Sequence, residues 1–170
     1  ELHSNGHSVR ILDLKRPHRE DVEYIEGSIT DRSIVERAID GVDVVYHLAA
    51  VSNIDFVKQR PFETVEFNIL GTACLLEGAR SASIKRFLYA SSVYVYSESG
   101  HIYTTSKLAS EMLCANYYTL YGMPFTILRF ATAYGPRSRR ADVISIFVER
   151  AMAGKDLCIH GSGRQERNFI

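Results

Sequence analysis

The sequence predicts an α/β fold built on a doubly wound parallel sheet. Short, nearly continuous apolar runs alternate with helical patterns of roughly 10 to 20 residues, the signature of βαβ units with right-handed crossovers. The runs lack a clean two-residue alternation, as expected for strands covered by helices on both faces. Several of them end in small or polar residues, and in such sheets ligands bind beyond the carboxyl ends of the strands.

The elements follow in order. Residues 1–5 read as the last turn of a helix, with Gly6 just past its end where a left-handed residue is wanted. Val9-Arg10-Ile11-Leu12-Asp13-Leu14 is a strand ending near a carboxylate, and Val22-Glu23-Tyr24-Ile25 is a second. Asp31 caps a helix over 33–39 that Gly41 closes. The run 42–50, ending His47-Leu48-Ala49-Ala50, is a third strand. Pro61 opens a helix through residue 81, with Val65, Ile69, Ala73 and Leu76 on one face. Residues 86–92 form another strand, ending Ser91-Ser92. A helix over 103–121 is terminated by Gly122-Met123-Pro124. Residues 125–130 make a strand, 143–152 a helix stopped by Gly154, and 157–160 a possible short strand.

Composition narrows the function classes. With 46% hydrophobic and 24% charged residues, the 170-residue chain has the profile of a soluble globular domain. Lys plus Arg and Asp plus Glu are both 20, so no basic excess points to nucleic acid or a membrane surface. Cys74, Cys114 and Cys158 form no CxxC pair and suit reduced thiols, making a cytoplasmic location the default expectation. No apolar run approaches the ~20 residues of a membrane span, no signal segment opens the chain, and no metal site is expected. The chain opens on Glu1-Leu2-His3 and stops inside a strand-like run at Asn168-Phe169-Ile170, so it is expected to be part of a longer protein.

The chemistry centres on Tyr103-Thr-Thr-Ser-Lys107. A tyrosine and a lysine four apart share one helix face. A phenol titrates near ~10 and is a poor base at neutral pH; a neighbouring ammonium favours the phenolate. Alone, the spacing equally suits a packed tyrosine beside a solvated lysine. Ser91-Ser92, however, ends the strand just before this helix, bringing a hydroxyl to the same edge of the sheet.

Strand, serine, loop and Tyr-x-x-x-Lys helix together resemble the active site of the short-chain dehydrogenases/reductases. His47-Leu48-Ala49-Ala50, Asn68-Ile69-Leu70-Gly71-Thr72, Tyr134-Gly135-Pro136-Arg137 and the run 161–170 resemble, in the same order, motifs of the extended, nucleotide-sugar branch. The resemblance covers nearly the whole chain and implies a Rossmann-like NAD-binding domain over 1–135 and the start of a substrate lobe over 136–170. It implies catalytic roles for Ser92, bonded to the reacting sugar oxygen, for Tyr103 as acid/base, and for Lys107, which would hold the nicotinamide ribose and depress the phenol's pKa. It places Ser28, Ile29, Leu48, Ala49, Ala50, Asn68 and Phe130 along the cofactor, and Thr132 and Arg137, with Ser92, at the substrate. Asn68 has a plainer alternative as an exposed helical residue. Asp13 matches the carboxylate that bonds the adenosine ribose and favours NAD over NADP, although Lys15 and Arg16 weaken that preference and a simple turn residue is the alternative.

Departures from the family pattern matter as much. The Gly-rich phosphate loop is absent, so about one βα unit, ~30 residues for a complete βαβ, is expected before Glu1; without that central strand the sheet would have a gap. Gly27-Ser28-Ile29 replaces Gly-Asp-Ile at the adenine. Ten residues separate Ser92 from Tyr103, where the family has a longer loop. Thr132 stands where many members carry Asn, and Arg167-Asn168-Phe169 replaces Arg-Asp-Phe. The 4,6-dehydratases of the family place Asp-Glu directly after the catalytic Thr, whereas Val93-Tyr94 follows Ser92. The resemblance therefore implies a nucleotide-sugar epimerase, of the UDP-glucose/UDP-galactose 4-epimerase type, as a homodimer through the helices over 61–81 and 103–121. A reductase or dehydrogenase acting on a keto sugar or other carbonyl is one alternative, and a non-catalytic NAD-responsive binding protein another.

Overall fold

The computed structural model describes residues 1–97, 101–135, 142–164, 166 and 169–170. Arg137 and the central part of the short Ser92–Tyr103 interval lie outside them. The chain forms two compact units, Glu1–Leu128 and Arg129–Ile170.

In the first unit, β1 (Arg10–Asp13) pairs in parallel with β2 (Glu23–Glu26), Arg10 opposite Glu23 and Asp13 opposite Glu26. β3 (Val44–His47) pairs in parallel with β4 (Arg86–Ser92), Val44 opposite Arg86, and β4 neighbours β5 (Phe125–Phe130). The strands thus fall into two groups, β1–β2 and β3–β4–β5. Val44 and Tyr46 on β3 are exposed, so this strand is not covered on both faces as its apolar run suggested.

Local signals set the helices. Asp31 caps α1 (Arg32–Ile39) by accepting from the Ser33 and Ile34 amides. Arg10 closes the other end, donating to the Ala38 and Asp40 carbonyls at 3.0 and 2.7 Å. α2 (Ile54–Gln59), too short to stand out by its periodicity, is capped by the Asn53 side chain and anchored by Val57. The helix expected over 61–81 is present but not uniform: α3 (Pro61–Val65) runs into a π-helical turn, Glu66–Leu70, before α4 (Gly71–Ser81). α5 (Ile102–Tyr121) ends at Gly122, whose φ of 69° is the left-handed conformation that a glycine accepts without steric cost.

The core lies where α1, α4 and α5 pack on β3 and β4. Val35 and Ile39 of α1 meet Leu75, Leu76 and Ala79 of α4, with Phe87, Tyr89, Cys114 and Met123 completing the cluster. Full burial of side chains such as Leu76 and Phe87 stabilises by roughly 1.5–3 kcal/mol each.

In the second unit, Asp142 caps α6 (Val143–Met152), accepting from the Ser145 amide at 2.9 Å. Thr132 and Phe169 form a parallel bridge, with Ile170 N donating to Thr132 O at 3.1 Å. Residues 157–160 are not a strand: Leu157 and Ile159 are exposed, and the run pairs with no strand among the described residues. An apolar run becomes a strand only where a neighbour takes its backbone groups.

Candidate active site

The tip of β4 organises the site. The last three residues of this strand point their polar atoms at different parts of α5 and of the turn that follows. Lys107 Nζ donates to the Ala90 carbonyl at 2.7 Å, Ser91 Oγ donates to Glu111 Oε1 at 2.5 Å, and Ser92 Oγ accepts from the Tyr94 amide at 3.2 Å. Ser92 thereby caps the 3-10 turn Val93–Tyr96. Tyr103 and Lys107 project from the first two turns of α5, and both are buried.

The ammonium lies between two phenol rings, 4.9 Å from the Tyr89 centroid and 5.8 Å from that of Tyr103, within reach of cation–π attraction. The ammonium thus faces both rings, Tyr89 being the nearer. Burial lowers the lysine to about 8, with the Glu111 carboxylate opposing that shift. Burial pushes the Tyr89 phenol up, which keeps it neutral.

Behind the pair sits a buried polar network that only the structure reveals. Asn68 Oδ1 accepts from Val51 N at 2.7 Å, and its Nδ2 donates to Val51 O at 3.0 Å and Ser106 Oγ at 2.9 Å. Asn68 is 1% exposed, so the exposed-asparagine reading does not hold. It fixes the loop after β3 to the helix that carries Tyr103. The π turn widens the helix at this residue, a local distortion often found at functional positions. Thr72 Oγ1 donates to the Asn68 carbonyl at 2.6 Å, so it accepts from His47 Nε2 at 2.8 Å. That assigns the proton of the imidazole to Nε2. Burial, helped by the Lys107 charge, lowers His47 to about 3, so the ring is neutral.

A cleft of about 440 Å³ opens beyond the carboxyl ends of β1, β2 and β3. Its walls include Asp13, Ser28, Ile29, Leu48, Ala49 and Ala50, bringing together all the residues expected there except Asn68, Phe130 and the catalytic pair. Phe56 of α2 and Phe67 of the π turn complete it. The small Ala49 and Ala50 side chains leave room for a flat ligand. Asp13 is exposed and accepts the Lys15 amide through Oδ1 at 2.9 Å, which leaves Oδ2 for a ribose hydroxyl. Ser28 Oγ lies 2.7 Å from Thr30 Oγ1 and accepts from the Thr30 amide at 3.2 Å, so part of its capacity toward an adenine is already engaged. Phe130 and Thr132 belong to the second unit, where Phe130 ends β5 partly exposed.

The whole chain, residues 1–170, matches the family model described as the NAD dependent epimerase/dehydratase family. The chain belongs to that family. It is 31% identical over 168 residues to the dTDP-D-glucose 4,6-dehydratase of Mus musculus, covering 90% of this chain and 47% of the relative. Among solved structures, the UDP-glucose 4-epimerase of Thermotoga maritima with UDP-glucose superposes with a TM-score of 0.90 at 27% identity, covering 99% of this chain and 63% of that one. The Thermus thermophilus UDP-glucose 4-epimerase in complex with NAD gives 0.78 at 27% identity, covering 91% and 58%. The chain spans about half the length of the curated relatives it matches. As a member of the NAD-dependent epimerase/dehydratase family it has a Rossmann-like fold, and NAD is the cofactor of that family. Among the described residues, no helix is long and apolar enough to cross a membrane.

Proposed function

We propose that the protein is an NAD-dependent nucleotide-sugar 4-epimerase acting on a UDP-hexose. The observation that carries this reading is the Lys107 ammonium set against the Tyr103 ring, at a strand tip whose serine is followed by Val93 and Tyr94. A 4,6-dehydratase eliminates water and uses carboxylates directly after its catalytic hydroxyl. Here those two positions offer an isopropyl group and a phenol in place of carboxylates.

In this reading residues 1–135 bind NAD and 136–170 begin the substrate lobe. Bound NAD supplies a reversible hydride acceptor. Tyr103 takes the proton from the sugar 4-hydroxyl and later returns it. Lys107 stabilises the phenolate that makes this possible at neutral pH, and Ser92 donates a hydrogen bond to the same sugar oxygen. Asp13 holds the adenosine ribose, and Thr132 and Arg137 contribute to the substrate side. The nucleotide provides remote binding energy that retains the keto sugar while it turns over.

The described outer faces of α3 and α5 expose Phe62, Val65, Leu108 and Met112, which supports assembly as a homodimer through these helices.

Incubating the purified full-length protein with UDP-galactose and following the sugar anomeric signals by NMR tests the proposal. UDP-glucose should accumulate with no net NADH. A 4-keto-6-deoxy product, or no turnover while NAD remains bound, would overturn the epimerase assignment. Net oxidation of NADH would point to the reductase alternative.

A further inference from the structure

We propose that Glu111 is a positioning residue for Lys107: its buried carboxylate, anchored by Ser91, keeps the ammonium charged and seated against Tyr103. This rests on reading Tyr103 and Lys107 as the acid/base pair.

Glu111 follows Lys107 by one turn of α5, so both side chains leave the helix on the same face. Both are buried, at 7% and 4% exposure. A carboxylate is retained in such surroundings only where hydrogen bonds or an opposite charge compensate its lost hydration. Ser91 Oγ supplies one such bond at 2.5 Å, and Lys107 lies one turn away on the same helix face. The same three-residue strand tip thus holds both members: the Ala90 carbonyl takes the ammonium at 2.7 Å, and the adjacent Ser91 takes the carboxylate.

The groups facing Lys107 show why the carboxylate matters. From β3 comes His47, neutral because burial lowers it to about 3. From β4 come the Ala90 carbonyl and the Tyr89 ring, a phenol that burial keeps protonated. From α5 come Tyr103 and Glu111, with Cys114 beyond, its thiol pushed up to about 12 and therefore neutral. Carbonyl and rings attract a cation as dipoles and quadrupoles; Glu111 brings a full negative charge. Burial alone drives Lys107 toward losing its proton, and Glu111 works against that loss. A neutral amine would no longer favour the phenolate.

The test is a ¹³C NMR titration of ε-labelled lysine in the NAD-loaded full-length protein, with Lys107 assigned through Lys107→Arg. Glu111→Gln should move the Lys107 titration to lower pH by about half a unit or more, roughly a threefold change in its ionisation constant. The alkaline limb of the turnover profile should move with it. Glu111→Asp keeps the charge and should stay near the wild-type titration. A folded Glu111→Gln protein whose Lys107 titrates as in the wild type would overturn the proposal. Should Glu111→Gln fail to fold, Ser91→Ala tests the same link, because the unanchored carboxylate shifts the titration the same way by a smaller amount; no movement overturns it. The titration needs no substrate, so a failed epimerase assay leaves this result readable on its own.

Discussion

Asn68→Ala should cost the protein far more than an ordinary helix substitution. The amide makes three hydrogen bonds, to Val51 N at 2.7 Å, Val51 O at 3.0 Å and Ser106 Oγ at 2.9 Å. Each buried polar group left without a partner costs about 1–3 kcal/mol. The Val51 groups are only partly buried, so water recovers part of their loss, and Ser106 Oγ keeps its bond to Tyr103 O at 2.8 Å. Taking about 1 kcal/mol for each Val51 group, and a similar amount for the space vacated by the side chain, gives a loss of about 3 kcal/mol. That is a large share of the ~5–15 kcal/mol that holds a typical domain together. Urea unfolding at constant slope would read it directly. The variant should also bind NAD more weakly, because Val51 lines the cofactor cleft. A loss below about 1 kcal/mol with NAD affinity unchanged would refute the clamp.

Two further outcomes follow from the packing. Gly71→Ala places a methyl group 2.6 Å from Ile29 Cδ1 and 2.7 Å from Cγ1. The overpacking should lower stability by about 1–3 kcal/mol and push Ile29 into the cleft it lines, so the NAD dissociation constant should rise; adding Ile29→Val should restore part of both, measured by calorimetry and NAD titration. His47 is held neutral in the fold, lowered from 6.5 to about 3. The unfolded chain therefore takes up a proton first, and stability present above pH 6.5 is lost as pH falls toward 3, at up to about 1.4 kcal/mol per pH unit. Denaturant midpoints measured from pH 7 to pH 4 should show this slope, and His47→Gln should flatten it.

The parts legible in the sequence were those decided locally. β4 and β5 span the residues their apolar runs mark, and Asp31 and Gly122 end their helices as their residue types require. The Tyr103–Lys107 pair was readable because a four-residue spacing fixes a shared face whatever surrounds it. What escaped depends on contacts across the fold. Asn68 is polar at a helical position, which suits exposure equally well; only Val51 and Ser106, 17 and 38 residues away, decide its burial. Glu111 likewise passes for a solvated helix residue until Ser91 is found against it, although its place one turn after Lys107 was a signal in plain view. The cap at Asn53 could have marked α2, a helix too short for its periodicity to stand out. The run 157–160 was apolar enough for a strand, but strand formation needs a partner that no local pattern specifies.

The most direct test of the account is turnover of UDP-galactose by Tyr103→Phe, with NAD binding measured on the same preparation. Losing only the phenolic hydroxyl should lower turnover by about 10²–10⁴-fold while NAD affinity stays within a few-fold of the wild type. Turnover near the wild-type rate with NAD bound would contradict the assignment of Tyr103 as the proton-transfer group.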